Sequence, residues 1–461
     1  MLLFSIITYL ILTILVGFWA SRKVKTSGDF MLAGRSLPIM LSSAALFATW
    51  FGSETVFGAS SQFLKGGLYA VIEDPFGAAL CLLLFGIFFA RKLYNMNLIT
   101  LGDFFKVRYG RKTELTASIF LAPPYLGYIA AQLVAMGLIL NVVTGLPIWQ
   151  GVVISSLVVT LYTYVGGMWA ISITDFVQSI IIILGLLVLA FIMAEKAGGV
   201  STVLNALPAE DFKFFPSLNF KEVVTYIAAW SVLGLGSVPS QDVFQRSMSS
   251  GSAKTAVLSC YFAAFLYLTI AMLPIFISLC TKYLYPNYAV GDTQLALPNM
   301  VLAHTSLPIQ ILFFGSLLSA IMSTASSAIL APAAIFSENI VKPLMKDKIT
   351  DHQLLVMTRL AILLFSSIAT IMACMRSNIY ELVGESSILS LVSLFVPLVM
   401  GLYWKRASTA GALLSMVLGI LTWIIFEVYE TSWPSLAPAT LVSFVGMVMG
   451  SLVWPTKTEI V

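Results

Sequence analysis

The chain has 461 residues, of which 59% are hydrophobic and 10% charged, with a formal net charge of +4. Soluble domains carry about 25% charged residues, so a water-soluble fold is excluded. The small basic excess reports membrane orientation and requires no nucleic acid or other acidic partner.

Apolar runs of about 20 residues suit helices that cross a hydrocarbon layer about 30 Å thick, and they exclude the short alternating strands of an outer-membrane barrel. The expected fold is therefore all-α and polytopic. Residues 1–20 lack a basic start and run into SRKVK without a cleavage signature, so the first span is expected to be retained. Cys81, Cys260, Cys280 and Cys374 lie far apart in sequence. That spacing predicts neither a disulfide nor a metal cluster.

Hydropathy and breaker residues mark thirteen spans: 2–20, 37–64, 67–90, 115–143, 147–165, 168–194, 222–246, 253–281, 307–337, 354–376, 379–404, 407–428 and 436–455. Lys and Arg collect on alternate connections, among them Arg22, Lys23, Arg35, Arg91, Lys106, Arg246, Lys346, Lys405 and Lys457. The positive-inside rule makes these loops cytoplasmic, with the N-terminus outside and the C-terminus inside. In the loop that opens at Arg91, Leu101, Phe104, Phe105 and Val107 predict an amphipathic interfacial helix.

The second span, AALFATWFGSETVFGASSQFLKGG from Ala44 to Gly67, is interrupted by Thr49, Gly52, Ser53, Glu54 and Thr55. A carboxylate at mid-bilayer costs about 2.5–3.5 kcal/mol on insertion scales, so it belongs against a protein-lined cavity. Broken hydrophobic segments point to solute and ion sites, because unwound carbonyls and half-helix ends become available as ligands. The alternative is a kinked packing helix with a satisfied Glu54. The seventh span is interrupted too, at Gly234, Gly236, Pro239, Ser240, Gln241 and Asp242. Five spans separate the two breaks, so the second crosses in the opposite sense, as in a five-plus-five inverted repeat. The predicted organisation is one transmembrane domain, with an extra helix at 2–20, repeats at 37–194 and 222–404, and two further helices at 407–455.

The ninth span clusters Ser319, Ser323, Thr324, Ser326 and Ser327. Small polar residues pack helices together in membranes, but Ser323 and Thr324, one turn after Ala320, also offer adjacent oxygens to a hard cation. Glu73 and Asp74 add carboxylates early in the third span, and Glu54, Asp242, Glu381 and Glu385 lie nearby with almost no Lys or Arg in the spans to pair with them. Either several are protonated, or a cation is their partner, or Glu73, Asp74, Glu381 and Glu385 simply face an outer vestibule. His304 and His352 have no companions for metal binding or acid–base work, and no nucleophile, base and orienting group recur at useful spacing.

The stretches SGDFMLAGRSLP, ATWFGSETVFG, YTYVGGMWAISITDFVQS, QDVFQRSMSS and SAIMSTASSAILAPAAIFSENI resemble the sodium/solute symporter family of proline, sugar, sialic acid and choline carriers. The resemblance implies a LeuT-like fold and a sodium-coupled secondary active importer of a small organic solute, working by alternating access in the plasma (inner) membrane, with Na+ as coupling ion and no enzymatic activity. It further implies a Na+ site made by the carbonyls of Ala48, Phe51 and Ala320 with the hydroxyls of Ser323 and Thr324. Asp175 would assist cation passage to the cytoplasm, or else act as a structural carboxylate near a helix end. Within the family the ATW break is most similar to that of the high-affinity choline carriers, although Ser240 stands where those carriers have Trp. Candidate solute residues are Trp50, Glu54, Glu73, Asp74, Tyr128, Ser240 and Gln241. With acidic residues around the breaks and Trp50 available for cation–π contact, the expected solute is a cation or zwitterion; the alternatives are a neutral or anionic solute, or a solute sensor on the same fold.

Overall fold

A computed structural model describes residues 1–22, 24–345, 348–376, 378–429 and 433–455. Lys23, Lys346 and Lys457 of the basic loops lie outside these described residues. In chain order the helices are α1 (Leu2–Ser21), α2 (Ser27–Leu32), α3 (Ile39–Phe47), α4 (Ala59–Gly66), α5 (Leu68–Asn95), α6 (Leu101–Tyr109), α7 (Arg111–Thr144), α8 (Ile148–Lys196) and α9 (Val200–Ala206). They continue as α10 (Phe220–Gly234), α11 (Gln241–Met248), α12 (Ala253–Leu284), α13 (Ala296–His304), α14 (Leu307–Leu344), α15 (Asp351–Met375), α16 (Ile379–Tyr403), α17 (Thr409–Val428) and α18 (Leu436–Val453). No β-strand occurs among the described residues, where one isolated bridge joins Leu37 to Ser250.

Nine of these helices are long and apolar enough to cross a membrane. One of them, α8, holds two of the expected spans. At 1.5 Å per residue it would be roughly 70 Å long if straight, but the backbone turns at Gly167 (φ 55°, ψ −160°). The Tyr162 and Thr174 hydroxyls, twelve residues apart, therefore meet. A side chain at Gly167 would also strike the Phe30 ring, 2.5 Å from an ideal Cβ. With α1 and the two interrupted pairs, α3–α4 and α10–α11, all thirteen expected spans have counterparts.

Local chemistry sets several boundaries. Thr350 and Gln353 cap the start of α15 reciprocally, and Thr100 and Asp103 do the same for α6; each box satisfies backbone donors that the first turn leaves free. Leu101, Phe104 and Phe105 of α6 are buried as expected, but Val107 is 50% exposed. The loop packs only three of the four residues, because Phe105 stacks on Tyr109 and Phe104 meets that ring edge-on, all three buried. The backbone N–H of Leu37 donates to the Ser249 carbonyl (3.0 Å), and that of Gly251 to the Leu37 carbonyl (2.9 Å). The entry to the first broken span is thereby tied to the exit from the second.

The approach of α8 to α14 matters most for the site. An ideal Cβ on Gly185 would stand 1.8 Å from Ser316 Oγ, and that hydroxyl donates across the contact to the Ile181 carbonyl at 3.0 Å. At the same interface α1 joins in, with Tyr9 Oη 2.5 Å from Ser319 Oγ and accepting from Gln178 Nε2 at 3.2 Å. Gly185→Val should overpack this seam and cost about 1–3 kcal/mol. A lowered melting midpoint in detergent would show it; an unchanged midpoint would mean that the two helices do not depend on the close approach.

Candidate functional site

The first break begins where α3 stops after Phe47, and the chain turns through residues 48–52 before a π-turn at Glu54–Gly58. Gly52 is required by close approach. An ideal Cβ there would stand 2.7 Å from both Gln132 Oε1 and Thr324 Oγ1. Helix α7 fills the gap: Gln132 Oε1 accepts from the Ser53 N–H (3.0 Å) and Gln132 Nε2 donates to Glu54 Oε2 (2.9 Å). The Tyr128 hydroxyl lies 2.8 Å from Glu54 Oε1 and 3.0 Å from the Thr49 carbonyl oxygen. Glu54 is thus fixed by neutral donors, which orient its carboxylate without compensating a charge.

The second break separates α10 from α11 over residues 235–240. Tyr125, also on α7, accepts from the Asp242 N–H (3.0 Å) and donates to Asp242 Oδ1 (2.9 Å). Between the breaks lies a cavity. Its walls carry Trp50, Tyr125 and Tyr128, the carboxyls of Glu54 and Asp242, and the hydroxyls of Ser237, Ser240, Ser386, Ser387 and Ser390.

Of the candidate solute residues, Trp50, Glu54, Tyr128 and Ser240 line this cavity. Glu73 and Asp74 do not; with Glu54 and Tyr380 they surround a smaller neighbouring cavity. Gln241 is turned away, and its Oε1 accepts from the Leu101 N–H of α6 at 2.7 Å. Glu385 is ion-paired after all, with Arg376 Nη1 at 2.7 Å, and Glu381 lies 4.0 Å from the same guanidinium. The hydrogen bonds from Arg376 to Glu385 hold that guanidinium above its ordinary pKa. Both glutamates are exposed, since they begin α16 at the water-facing end. Sequence reasoning missed Tyr125 and the serines of α16. Tyr125 is three residues before Tyr128, and Ser387 and Ser390 are likewise three apart, so helical spacing from a known wall residue could have found them.

On the opposite side of the first break, Thr324 Oγ1 lies 3.1 Å from the Ala48 carbonyl oxygen and 3.1 Å from that of Ala320, while Ser323 Oγ is 3.5 Å from Ala48. Phe51 stands in the same turn, its ring against Phe47. Asp175, fully buried, accepts from the Ser323 hydroxyl and forms an ion pair with Arg246 Nη2 at 2.9 Å. The five residues named for a cation and the Asp175 carboxylate are therefore gathered in one region.

A family model described as the sodium:solute symporter family matches residues 30–419. The chain belongs to that family. It is a sodium-coupled symporter of a small solute, with Na+ as coupling ion, and it works in a membrane. The high-affinity choline transporter 1 of Torpedo marmorata is 30% identical, over 90% of this chain and 75% of that one; its Homo sapiens counterpart is 29% identical, over 91% and 75%. Among solved structures, a Na+-coupled sialic acid symporter in a substrate-bound outward-open state superposes with a TM-score of 0.88 at 20% identity, covering 100% of this chain and 99% of that one. That likeness establishes the LeuT-like architecture of this symporter.

The Asp175–Arg246 pair is buried to 0% and 1% exposure, and Arg246 Nε and Nη1 have no acceptor among the described residues. Removing one member of such a pair strands a charge and costs about 3–5 kcal/mol. Arg246→Gln should therefore destabilise the symporter in detergent melts, and adding Asp175→Asn should recover much of the loss. If the double variant melts as low as the single one, the pair is not what holds these helices.

Proposed function

We propose that this symporter imports a small organic cation or zwitterion, a choline-like ammonium compound being the leading solute. The observation that carries the reading is the set of residues around the cavity between the breaks: Trp50, Tyr125 and Tyr128 with Glu54, Asp242 and five serines, set among Leu121, Pro124, Leu233, Pro239 and Val383, with no Lys or Arg among its lining residues. A quaternary ammonium has no hydrogen to donate, so ring faces and negative charge recognise it, each cation–π contact contributing about 0.5–2 kcal/mol according to desolvation. Glu54 and Asp242 make no ion pair among the described residues, which leaves their carboxyl oxygens for a solute. The serines supply partners for a hydroxyl or carboxylate at the other end of the molecule. The names of the choline-transporting relatives support the same class.

Coupling Na+ is placed at the carbonyls of Ala48, Phe51 and Ala320 and the hydroxyls of Ser323 and Thr324, an all-oxygen set suited to a hard cation. Asp175, holding Ser323, then governs passage of the ion towards the cytoplasm. Residues 37–194 and 222–404 form the inverted repeats, the N-terminus lies outside, the C-terminus is cytoplasmic, and the protein works in the plasma (inner) membrane without covalent chemistry.

Proteoliposomes with an inward sodium gradient provide the test. Choline or a close ammonium analogue should accumulate, and Glu54→Gln should lower its kcat/KM by about tenfold or more, the scale of one lost contact to a charged group. Ser323→Ala with Thr324→Ala should abolish sodium stimulation while the protein stays monodisperse. Accumulation of only a sugar or a monocarboxylate would overturn the solute class, and intact sodium stimulation in the double variant would overturn the ion site.

A further inference from the structure

A cavity of about 400 Å³ lies between α1, α7, α8 and α14, and it shares no lining residue with the cavity between the breaks or with the proposed ion site. Leu3 and Ile7 come from α1, Met136 and Leu140 from α7, and Leu318 from α14. The members of each pair stand one turn apart, so each helix gives the cavity a single apolar face. Helix α8 adds Ile154 and Val158 on another such face, with Ser155 beside them. Leu3, Ile7 and Ile154 are exposed, so the cavity opens on the outer surface. In a protein that works in a membrane, that surface faces lipid.

The depth of the cavity matches one leaflet. Val158 follows Ile148, the first residue of α8, by ten positions, which is about 15 Å along a helix axis and half of a hydrocarbon layer roughly 30 Å thick. At the other end the lining includes Leu146, in the turn before α8. Trp149, exposed at the start of α8, suits the membrane–water interface. The walls are fixed as well. An ideal Cβ on Gly151 would stand 2.9 Å from Gly137 Cα, which pins α8 to α7, and Tyr9 Oη stands 2.5 Å from Ser319 Oγ, which pins α1 to α14. Packed interiors leave few spaces larger than a water molecule, and an apolar cavity of about 150 Å³ already admits benzene.

Ser155 is the polar feature of this wall. A helical Ser or Thr can return its hydroxyl to the carbonyl one turn earlier, as Thr144 does to Leu140 at 2.5 Å. Ser155 is 2% exposed, yet its Oγ has no partner among the described residues. In hydrocarbon such a hydroxyl costs free energy until an acceptor reaches it. No Lys, Arg, Asp or Glu lines the cavity, so the ligand that fits is uncharged where it enters and carries an acceptor oxygen at the head of a long apolar chain. The acyl ester of a glycerophospholipid has that chemistry.

We propose that this groove is a phospholipid site, in which one acyl chain lies between α1 and α7 and its ester carbonyl accepts from the Ser155 hydroxyl. The chain then completes the packing of α1 on α14 next to the Tyr9–Ser319 contact. It braces the helix that carries Ser323 and Thr324. None of this depends on the identity of the solute or on the ion site.

The test is native mass spectrometry of the purified full-length protein, washed in detergent and titrated with palmitoyl-oleoyl phosphatidylcholine, with melting midpoints measured alongside. The wild type should take one lipid more tightly than any later one, and its midpoint should rise with that occupancy. Ser155→Ala should weaken the first binding step by about fivefold, the scale of one neutral hydrogen bond. Leu140→Trp fills the groove, so it should lose the first step and the rise in midpoint; Ile7→Trp fills it from α1 and serves if Leu140→Trp does not yield folded protein. Two results would overturn the proposal. One is lipid binding in equal steps, the same in the wild type and in every variant, which would mean unspecific surrounding lipid. The other is displacement of the tight lipid by an equal concentration of cholesterol, which would make the groove a sterol site.

Discussion

The unwound backbone between Phe47 and Glu54 is the constraint on which the rest of the structure depends. In lipid every backbone polar group needs an internal partner, so irregular chain survives only where protein surrounds it. Here the partners are side chains of named neighbours: Gln132 takes the Ser53 N–H, Tyr128 reaches the Thr49 carbonyl, and Thr324 reaches that of Ala48. Gly52 allows all of this, because a β-carbon there would push away both Gln132 and Thr324. Of the residues that repair the break, Tyr128 also lines the cavity between the breaks and Thr324 also belongs to the proposed ion site. Helix stability and recognition draw on one set of contacts.

The same logic extends to α8 and α14. Gly185 and Ser316 bring the two helices close, and that proximity carries the Asp175 carboxylate to the Ser323 hydroxyl and to Arg246. Burying an ion pair costs several kcal/mol of desolvation per ion, and replacing such a pair with apolar residues is often neutral or stabilising. Its presence here is better understood as a link between the oxygen set at Ser323 and the second half-helix, α11, on which Arg246 sits.

Much of this was legible in the sequence because the strongest signals are local. Span count, both breaks and the hydroxyl pair at Ser323 and Thr324 follow from hydropathy and from polar residues where lipid would reject them. The family resemblance of the ATWFGSETVFG and SAIMSTASSAILAP stretches then gave those pieces a common purpose. What escaped was the direction of side chains across elements. Glu54 and Asp74 read alike, yet Glu54 lines the main cavity and Asp74 faces Tyr267, a residue far along the chain on an otherwise ordinary apolar span. Gln241 reads as a pocket residue because it sits at a break, but its partner is the first N–H of α6, which no periodicity locates. Glu385 looked unpaired because its partner, Arg376, lies across a helix–helix connection, at the very end of the preceding span.

The tie between Gln241 and Leu101 has a consequence for anyone who wants to hold the protein still. Helix α6 lies at the surface with Lys106 and Val107 exposed, yet its start is bonded to α11 through Gln241. Asn339, near the end of α14, accepts from the Thr100 hydroxyl at 2.5 Å and donates to Asp103 and Glu114 at 2.9 and 3.0 Å. An antibody fragment that grips the outer side of α6 therefore grips, through a handful of hydrogen bonds, the half-helix beneath the cavity and the helix that bears Ser323. The surface helix is a handle on the machinery, and a reagent raised against it is a means of trapping one conformation without touching the solute path.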